Sequence, residues 1–144
     1  MATAYVDWDA SWTAVTYSTG TDWTSVAMTN GADLTSDAMS LDTKVCCQVS
    51  VQAVEDNTGA CTGNLYVYLC RDLDGTNYED YTSSTDNDNP PLLGIIVGEQ
   101  NKTRSKVFNI SSCDASSFKI AIFNDSDQEQ AITVKVRYAV STGA

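Results

Sequence analysis

Apolar and polar residues alternate along much of this chain, which is the pattern of β-strands that bury one face. In the segment 64–70 the two faces hold these side chains: Leu65, Val67 and Leu69 on one, and Tyr66, Tyr68 and Cys70 on the other. The longest alternation covers 44–55, and its apolar face is formed by Val45, Cys47, Val49, Val51 and Ala53. A turn rich in Gly, Asn and Thr at 56–63 separates the two segments. We therefore predict that they pair as a hairpin.

Shorter alternating or apolar segments continue this pattern on both sides. They predict strands at 12–17, 24–28, 38–41, 92–97, 103–110, 117–123 and 131–140. The polar segment 80–91 ends in two prolines, which excludes a central strand there. No segment keeps a helical period over three turns. About eight strands at short spacing predict an all-β fold, an antiparallel two-sheet β-sandwich that is jelly-roll-like.

The length of 144 residues fits one domain, since a chain of this size buries about 68–70% of its unfolded surface. Residues 1–42 differ from the rest, because they contain all three tryptophans, six Asp and no Lys, Arg or Glu. We predict an N-terminal arm with the first short strands at 1–42 and a β-sandwich domain at 43–144. The arm either supplies the first strands of the sandwich or packs on a neighbouring subunit.

The charge excludes several classes of partner. Eight basic residues stand against 19 acidic ones, which gives a formal net charge of −11. Nucleic-acid binding needs a basic face, so we expect no nucleic-acid partner, and anionic membranes are disfavoured for the same reason. The first residues, MATAYVDWDASW, have no basic region and no apolar run, so we expect no signal peptide and no membrane segment.

The residues that commonly carry catalysis or metals are sparse. The chain has no His, five Cys without a CxxC pair, and no Gly-rich phosphate motif. We interpret the cysteines as small buried hydrophobes, and we expect no enzyme activity, no cofactor and no metal. One acidic cluster surrounds the Asp74-Gly75 turn and consists of Asp72, Asp74, Glu79 and Asp80. A solvated turn is the favoured interpretation, with a calcium site or a glycosidase carboxylate pair as alternatives.

Two sets of residues are candidates for binding a protein partner. Trp8, Trp12 and Trp23 offer apolar area, and Lys102, Arg104 and Lys106 alternate, so they share one side of a strand. The basic row either docks on an acidic partner or protects an edge strand from pairing. Tyr66 and Tyr68 also share a side, which makes them alternative candidates for binding a glycan by ring stacking.

Three stretches together resemble a group of small structural proteins of tailed bacteriophages: NLYVYLCRDLDGTNYED, EQNKTRSKVFNI and SFKIAIFNDSDQEQAITVKVRYAV. The resemblance covers about residues 43–140. Members of such groups are jelly-roll or related β-sandwich proteins that decorate or cement the capsid, or serve as small head or tail fittings.

The resemblance implies a capsid decoration protein, which is made in the host cytoplasm and lies on the exterior of the virion. Its partners would be the major capsid protein and further copies of itself, as a homotrimer or another homo-oligomer. Residues 1–42 would then contact the shell or a sister subunit. The alternative is a tail or neck subunit, or a glycan-binding fitting that helps adsorption.

Overall fold

The structure, a computed structural model, describes residues 5–55, 59–79, 90–111 and 116–142, and these contain thirteen strands and no helix. The strands are β1 (Tyr5–Trp8), β2 (Thr13–Ala14), β3 (Thr16–Tyr17), β4 (Thr21–Asp22), β5 (Val26–Met28), β6 (Asp33–Thr35), β7 (Met39–Ser40), β8 (Cys46–Val54), β9 (Asn64–Arg71), β10 (Leu92–Val97), β11 (Thr103–Ser111), β12 (Ser117–Asp125) and β13 (Gln130–Thr142). The described part of the chain has no helix long and apolar enough to cross a bilayer. The predicted loop 80–91 lies outside the described residues except for its last two positions.

The strands form two antiparallel sheets that face each other. Sheet 1 has the order β1-β13-β8-β11, with β2 and β5 also paired to β13. Sheet 2 has the order β10-β9-β12-β6, with β7 also paired to β12. When β1, β2 and β5 are counted as one interrupted strand, β6 and β7 as another, and the small β3–β4 hairpin is left aside, eight strands remain. Their order places the first strand beside the last and the second beside the seventh, so the predicted jelly-roll sandwich is confirmed.

The predicted hairpin between 44–55 and 64–70 is wrong. Strand β8 pairs with β11 and β13 in sheet 1, whereas β9 pairs with β10 and β12 in sheet 2. The segment between them therefore crosses from one sheet to the other. Alternation indicates which side of a strand is buried, but two strands that face each other across a core have the same pattern as two that pair.

Alternating side chains of both sheets fill one core, as the sequence pattern predicts. The long strands contribute these buried residues to the core cluster: Cys47, Val49, Val51, Ala53, Leu65, Val67, Leu69, Ile96, Phe108, Ile110, Phe118, Ile120, Ile122, Ile132, Val134 and Val136. The core also takes residues from the first 42 positions, namely Val15, Trp23, Met28, Met39 and Leu41. The described part of the 1–42 segment thus adds strands to both sheets and side chains to the core between them.

The first strand of sheet 1 is interrupted because the chain leaves it and returns. Val15 donates its backbone N–H to Val134 O, and Val134 donates its own to Trp23 O, so the exit and the return both bond to β13. The β3–β4 hairpin lies between them and turns through Ser18, Thr19 and Gly20, all with positive φ. Asp37 accepts the backbone N–H groups of Thr19 and Gly20, and these bonds, the one from Gly20 foremost, lower the pKa of its carboxyl.

A buried polar cluster closes one end of the sandwich. The Asn124 side chain has no exposed surface and donates from Nδ2 to Met28 O and Gln128 O, both at 2.8 Å. Its Oδ1 accepts from the backbone N–H and the hydroxyl of Ser126 at 3.1 and 2.6 Å. Gln130, also buried, donates to the same hydroxyl. Every donor and acceptor of the Asn124 amide is therefore satisfied.

Candidate binding surfaces

A cation held between two indoles marks one edge of sheet 1. The guanidinium carbon of Arg137 lies 5.1 Å from the centre of the Trp8 ring and 4.9 Å from that of Trp12. We call these three residues the Trp–Arg cluster. Trp8 is on β1 and Trp12 directly precedes β2, so both come from the interrupted strand beside β13. Each such contact contributes about 0.5–1 kcal/mol at an exposed site and fixes the orientation of the rings.

Hydrogen bonds extend from this cluster across the outer face of sheet 1. Arg137 Nε donates to Gln48 Oε1 at 2.8 Å, and Gln48 Nε2 donates to Asn109 Oδ1 at 3.0 Å. The three side chains belong to β13, β8 and β11, which are neighbours in the sheet. Because the amides and the guanidinium are linked in series, the outer face has a defined polar surface rather than independent mobile side chains.

A shallow depression of about 220 Å³ lies beside Trp12 on this face. Its other lining residues are Ser50, Gln52, Thr133 and Lys135. Gln52 lies opposite Thr133, and Ser50 lies opposite Lys135, in the pairing of β8 with β13. The described lining contains no acidic side chain, although the chain carries 19 acidic residues.

The predicted basic row lies at the opposite edge of sheet 1. Arg104 and Lys106 are on β11, which has no partner strand on its outer side in the described residues. They lie opposite Ala53 and Val51, so they project from the core-facing side of the sheet at its open edge. There Arg104 forms an ion pair with Glu99.

Lys106 links the two sheets at this edge through a hydrogen bond. Lys106 Nζ donates to the backbone carbonyl of Ile95 on β10 at 3.2 Å. Lys102 precedes β11 and is exposed. A charged side chain that points inward at an edge strand hinders the addition of another strand. The structure therefore places Arg104 and Lys106 where edge protection requires them, and docking of this row on a partner stays a prediction.

Three of the seven exposed large apolar side chains of the described residues lie on the outer face of sheet 2, namely Leu92, Ile95 and Val97. Tyr66 on β9 lies opposite Phe123 on β12, with ring centres 6.4 Å apart, and opposite Ile95 on β10. We call the following set the aromatic face: Tyr66, Tyr68, Leu92, Ile95, Val97 and Phe123. Val97 is 64% exposed, and Leu92, which lies opposite Tyr68, is 47% exposed. Contiguous exposed apolar area of this kind is typical of interaction sites.

The acidic turn is organised by its own hydrogen bonds. Asp74 accepts the backbone N–H groups of Thr76 and Asn77 and the side-chain amide of Asn77. These bonds, chiefly the one from the backbone of Asn77, lower the pKa of Asp74 to about 2. Glu79 is buried and holds Arg71 through two hydrogen bonds at 2.9 and 2.5 Å. Asp80 lies outside the described residues, and the described ones contain no group of three or more Cys, Asp or Glu side chains placed to hold a metal ion.

The tryptophans and the basic row do not form one surface in the structure. Trp8 and Trp12 share a cluster at one edge of sheet 1, whereas the basic row occupies the other edge. Trp23 has no exposed surface and belongs to the core, so its ring is not offered to a partner. Arg137, Ile95 and Phe123 are not predicted as binding residues from the sequence, because only strand pairing places them beside Trp12 or Tyr66.

Comparison with known proteins adds information about the fold. No family model and no curated protein sequence matches this chain. Among solved structures, that of infectious bursal disease virus strain Gx aligns with a TM-score of 0.51 and 9% identity over 95% of this chain and 32% of that chain. Tripeptidyl peptidase 2 aligns with a TM-score of 0.49 and 13% identity over 94% of this chain and 10% of that chain.

A third similar structure is a carbohydrate-binding module, CBM4, with a TM-score of 0.40 and 10% identity over 82% of this chain and 70% of that chain. The chain spans a tenth of the length of the peptidase and about a third of the viral protein. At these identities the viral structure supports the β-sandwich fold, and the two with lower scores add nothing to it.

Proposed function

We propose that this chain is a virion structural protein of a tailed bacteriophage, a capsid decoration protein that binds and stabilises the shell of major capsid protein. The observation that carries the proposal is the aromatic face, an outward apolar surface on a sandwich whose sheets already enclose a complete core. The jelly-roll topology and the fold-level likeness to a viral structure support a virion role. The resemblance of residues 43–140 to small structural proteins of tailed phages is the ground for proposing a phage virion.

The aromatic face is suited to a protein partner for physical reasons. Tyr66 and Phe123 are half-buried and stacked, so they lose little conformational freedom when a partner covers them. Ile95 and Val97 are on β10, an edge strand of sheet 2, and they extend the apolar surface to the border of the sandwich. Aromatic anchors with an aliphatic surround are typical of the centre of an interface.

The copy number of the chain in purified virions tests the proposal. Mass spectrometry of intact particles with isotope-labelled reference peptides should find hundreds of copies, because a decoration protein repeats at symmetric shell positions. Only a few copies per particle would favour the alternative of a tail or neck subunit. Absence of the chain from the virion would overturn both.

Shell binding by purified variants tests the surface. The double variant Ile95→Ser/Val97→Ser should bind undecorated shells about tenfold more weakly or worse, as expected when interface anchors are truncated. Val107→Ser is the matched control, since Val107 is an exposed valine on the outer face of sheet 1. Equal loss for both variants, or no loss for the double variant, would show that the aromatic face is not the contact.

A further inference from the structure

We propose that the depression beside Trp12 binds a carbohydrate, and that Lys135 selects sugars that carry a carboxylate. This inference concerns a different face from the aromatic face and does not depend on which particle carries the chain. It rests on the shape of the depression, on the chemistry of its lining and on the fixed position of its indole.

The Trp12 ring is a pre-positioned platform. Arg137 covers one side of the indole at 4.9 Å from its centre, and Trp12 also lines the depression. Arg137 is itself held by Trp8 and by Gln48 Oε1, so the cation that packs on the Trp12 ring has a fixed position. A sugar ring presents C–H groups on its flat side, and a half-buried indole gives them an apolar contact surface at low entropic cost.

The floor of the depression supplies the polar half of such a site. Ser50 and Gln52 offer one hydroxyl and one amide, which donate and accept hydrogen bonds as sugar hydroxyls do. Thr133 adds a second hydroxyl, whose oxygen already accepts the backbone N–H of Ser25 and whose proton is available. The volume of about 220 Å³ is below the range of drug-sized pockets and matches a single ring rather than a large ligand.

Lys135 determines which sugar fits. It is exposed, and none of the ion pairs formed among the described residues involves it. Although the chain has a net charge of −11, the described lining of this depression contains one cation and no acidic side chain. A carboxylate on the bound ring would give this ammonium group a partner, whereas a neutral sugar would not.

Isothermal titration calorimetry with two single-ring probes tests the proposal: methyl glucuronide and the corresponding neutral methyl glucoside. We expect binding of both, with the acidic probe favoured. Trp12→Ala should weaken both about tenfold. Lys135→Gln should reduce only the preference for the acidic probe, by about threefold, as for an exposed ion pair.

Matched controls separate this site from general effects. Tyr5→Ala removes an exposed aromatic side chain of β1 that neither lines the depression nor belongs to the Trp–Arg cluster, and Lys102→Gln removes an equal charge elsewhere on the surface. Both should retain most of the binding. If Trp12→Ala fails to fold, Gln52→Ala removes an exposed floor residue and should still weaken binding. No binding of either probe, or equal losses in the controls, would overturn the proposal.

Discussion

The substitution Asn124→Asp tests whether the buried polar cluster stabilises the end of the sandwich. The new side chain keeps the shape of the amide and the oxygen that accepts from Ser126. It replaces the NH₂ group that donates to Met28 O and Gln128 O, both at 2.8 Å, with an oxygen that faces two carbonyls. The variant thus removes two donors without creating a cavity.

The expected loss of stability follows from these contacts. A buried polar group left without its partner costs about 1–3 kcal/mol. The bond to Met28 O is fully buried and the bond to Gln128 O is partly exposed, so we expect a loss of about 3 kcal/mol at pH 8. Burial and the facing carbonyls also raise the pKa of the new carboxyl above its usual value.

The raised pKa of the new carboxyl determines how the stability of Asn124→Asp changes with pH. A carboxyl whose pKa is raised by folding favours the folded state when it is protonated, and this contribution disappears as the pH rises through the raised pKa. The deficit of the variant relative to the natural chain should therefore be smaller at pH 5 than at pH 8. Urea unfolding followed by tryptophan fluorescence at both pH values measures it.

Asn109→Asp is the control for charge alone. Asn109 is exposed and only accepts from Gln48 Nε2, which a carboxylate also does, so its stability should change by less than about 0.5 kcal/mol. If Asn124→Asp were as stable as this control at pH 8, the Asn124 amide would not stabilise the end of the sandwich. A loss of stability that is the same at both pH values would contradict a raised pKa of the new carboxyl.

Three further predictions concern acid stability, thiol reactivity and backbone packing. The hydrogen bond from Arg71 lowers the pKa of Glu79 from 4.5. The ionised Glu79 carboxylate should therefore contribute about 1 kcal/mol to the free energy of unfolding above pH 4.5, and this contribution should disappear as the pH falls through the lowered pKa. Glu79→Gln should abolish this acid-dependent part of the unfolding free energy. Burial, with a smaller effect from the neighbouring Cys46, raises the pKa of Cys47 to about 12. Iodoacetamide at pH 8 should therefore alkylate the Cys47 thiol in urea but not in the folded protein, and mass spectrometry of the peptide that contains Cys47 measures this difference. Gly63→Ala places a methyl group against the backbone of Asp125 and should lower the melting temperature by about 5–10 °C. Gly59→Ala meets only the end of the flexible Gln128 side chain, so its melting temperature should stay within about 2 °C of the unchanged protein. Equal shifts of the two variants in calorimetry would contradict this packing.

The sequence predicts burial better than it predicts pairing. The alternation from Val45 to Ala53 identifies the core-facing positions of β8, since Cys47, Val49 and Val51 have no exposed surface. The same alternation does not indicate that β8 and β9 lie in different sheets. Sheet membership depends on long-range contacts, and the local period of two is identical in both arrangements.

The candidate binding residues show the same limit. Lys102, Arg104 and Lys106 alternate, so the sequence predicts that they share a side. It does not predict that Arg104 and Lys106 are on the core-facing side at an open edge, because that depends on the register with β8. Likewise, composition treats the three tryptophans alike, although Trp23 is buried and the other two are only half-buried.

The position of β13 in the middle of sheet 1 has a consequence for the timing of folding. This strand is the last of the described strands to be synthesised, yet the earliest segments of the chain bond to it. One such bond, from Thr142 Oγ1 to Tyr5 O, joins residues 137 positions apart. Sheet 1 can therefore close only after β13 has left the ribosome, and we expect slow folding governed by loop-closure entropy.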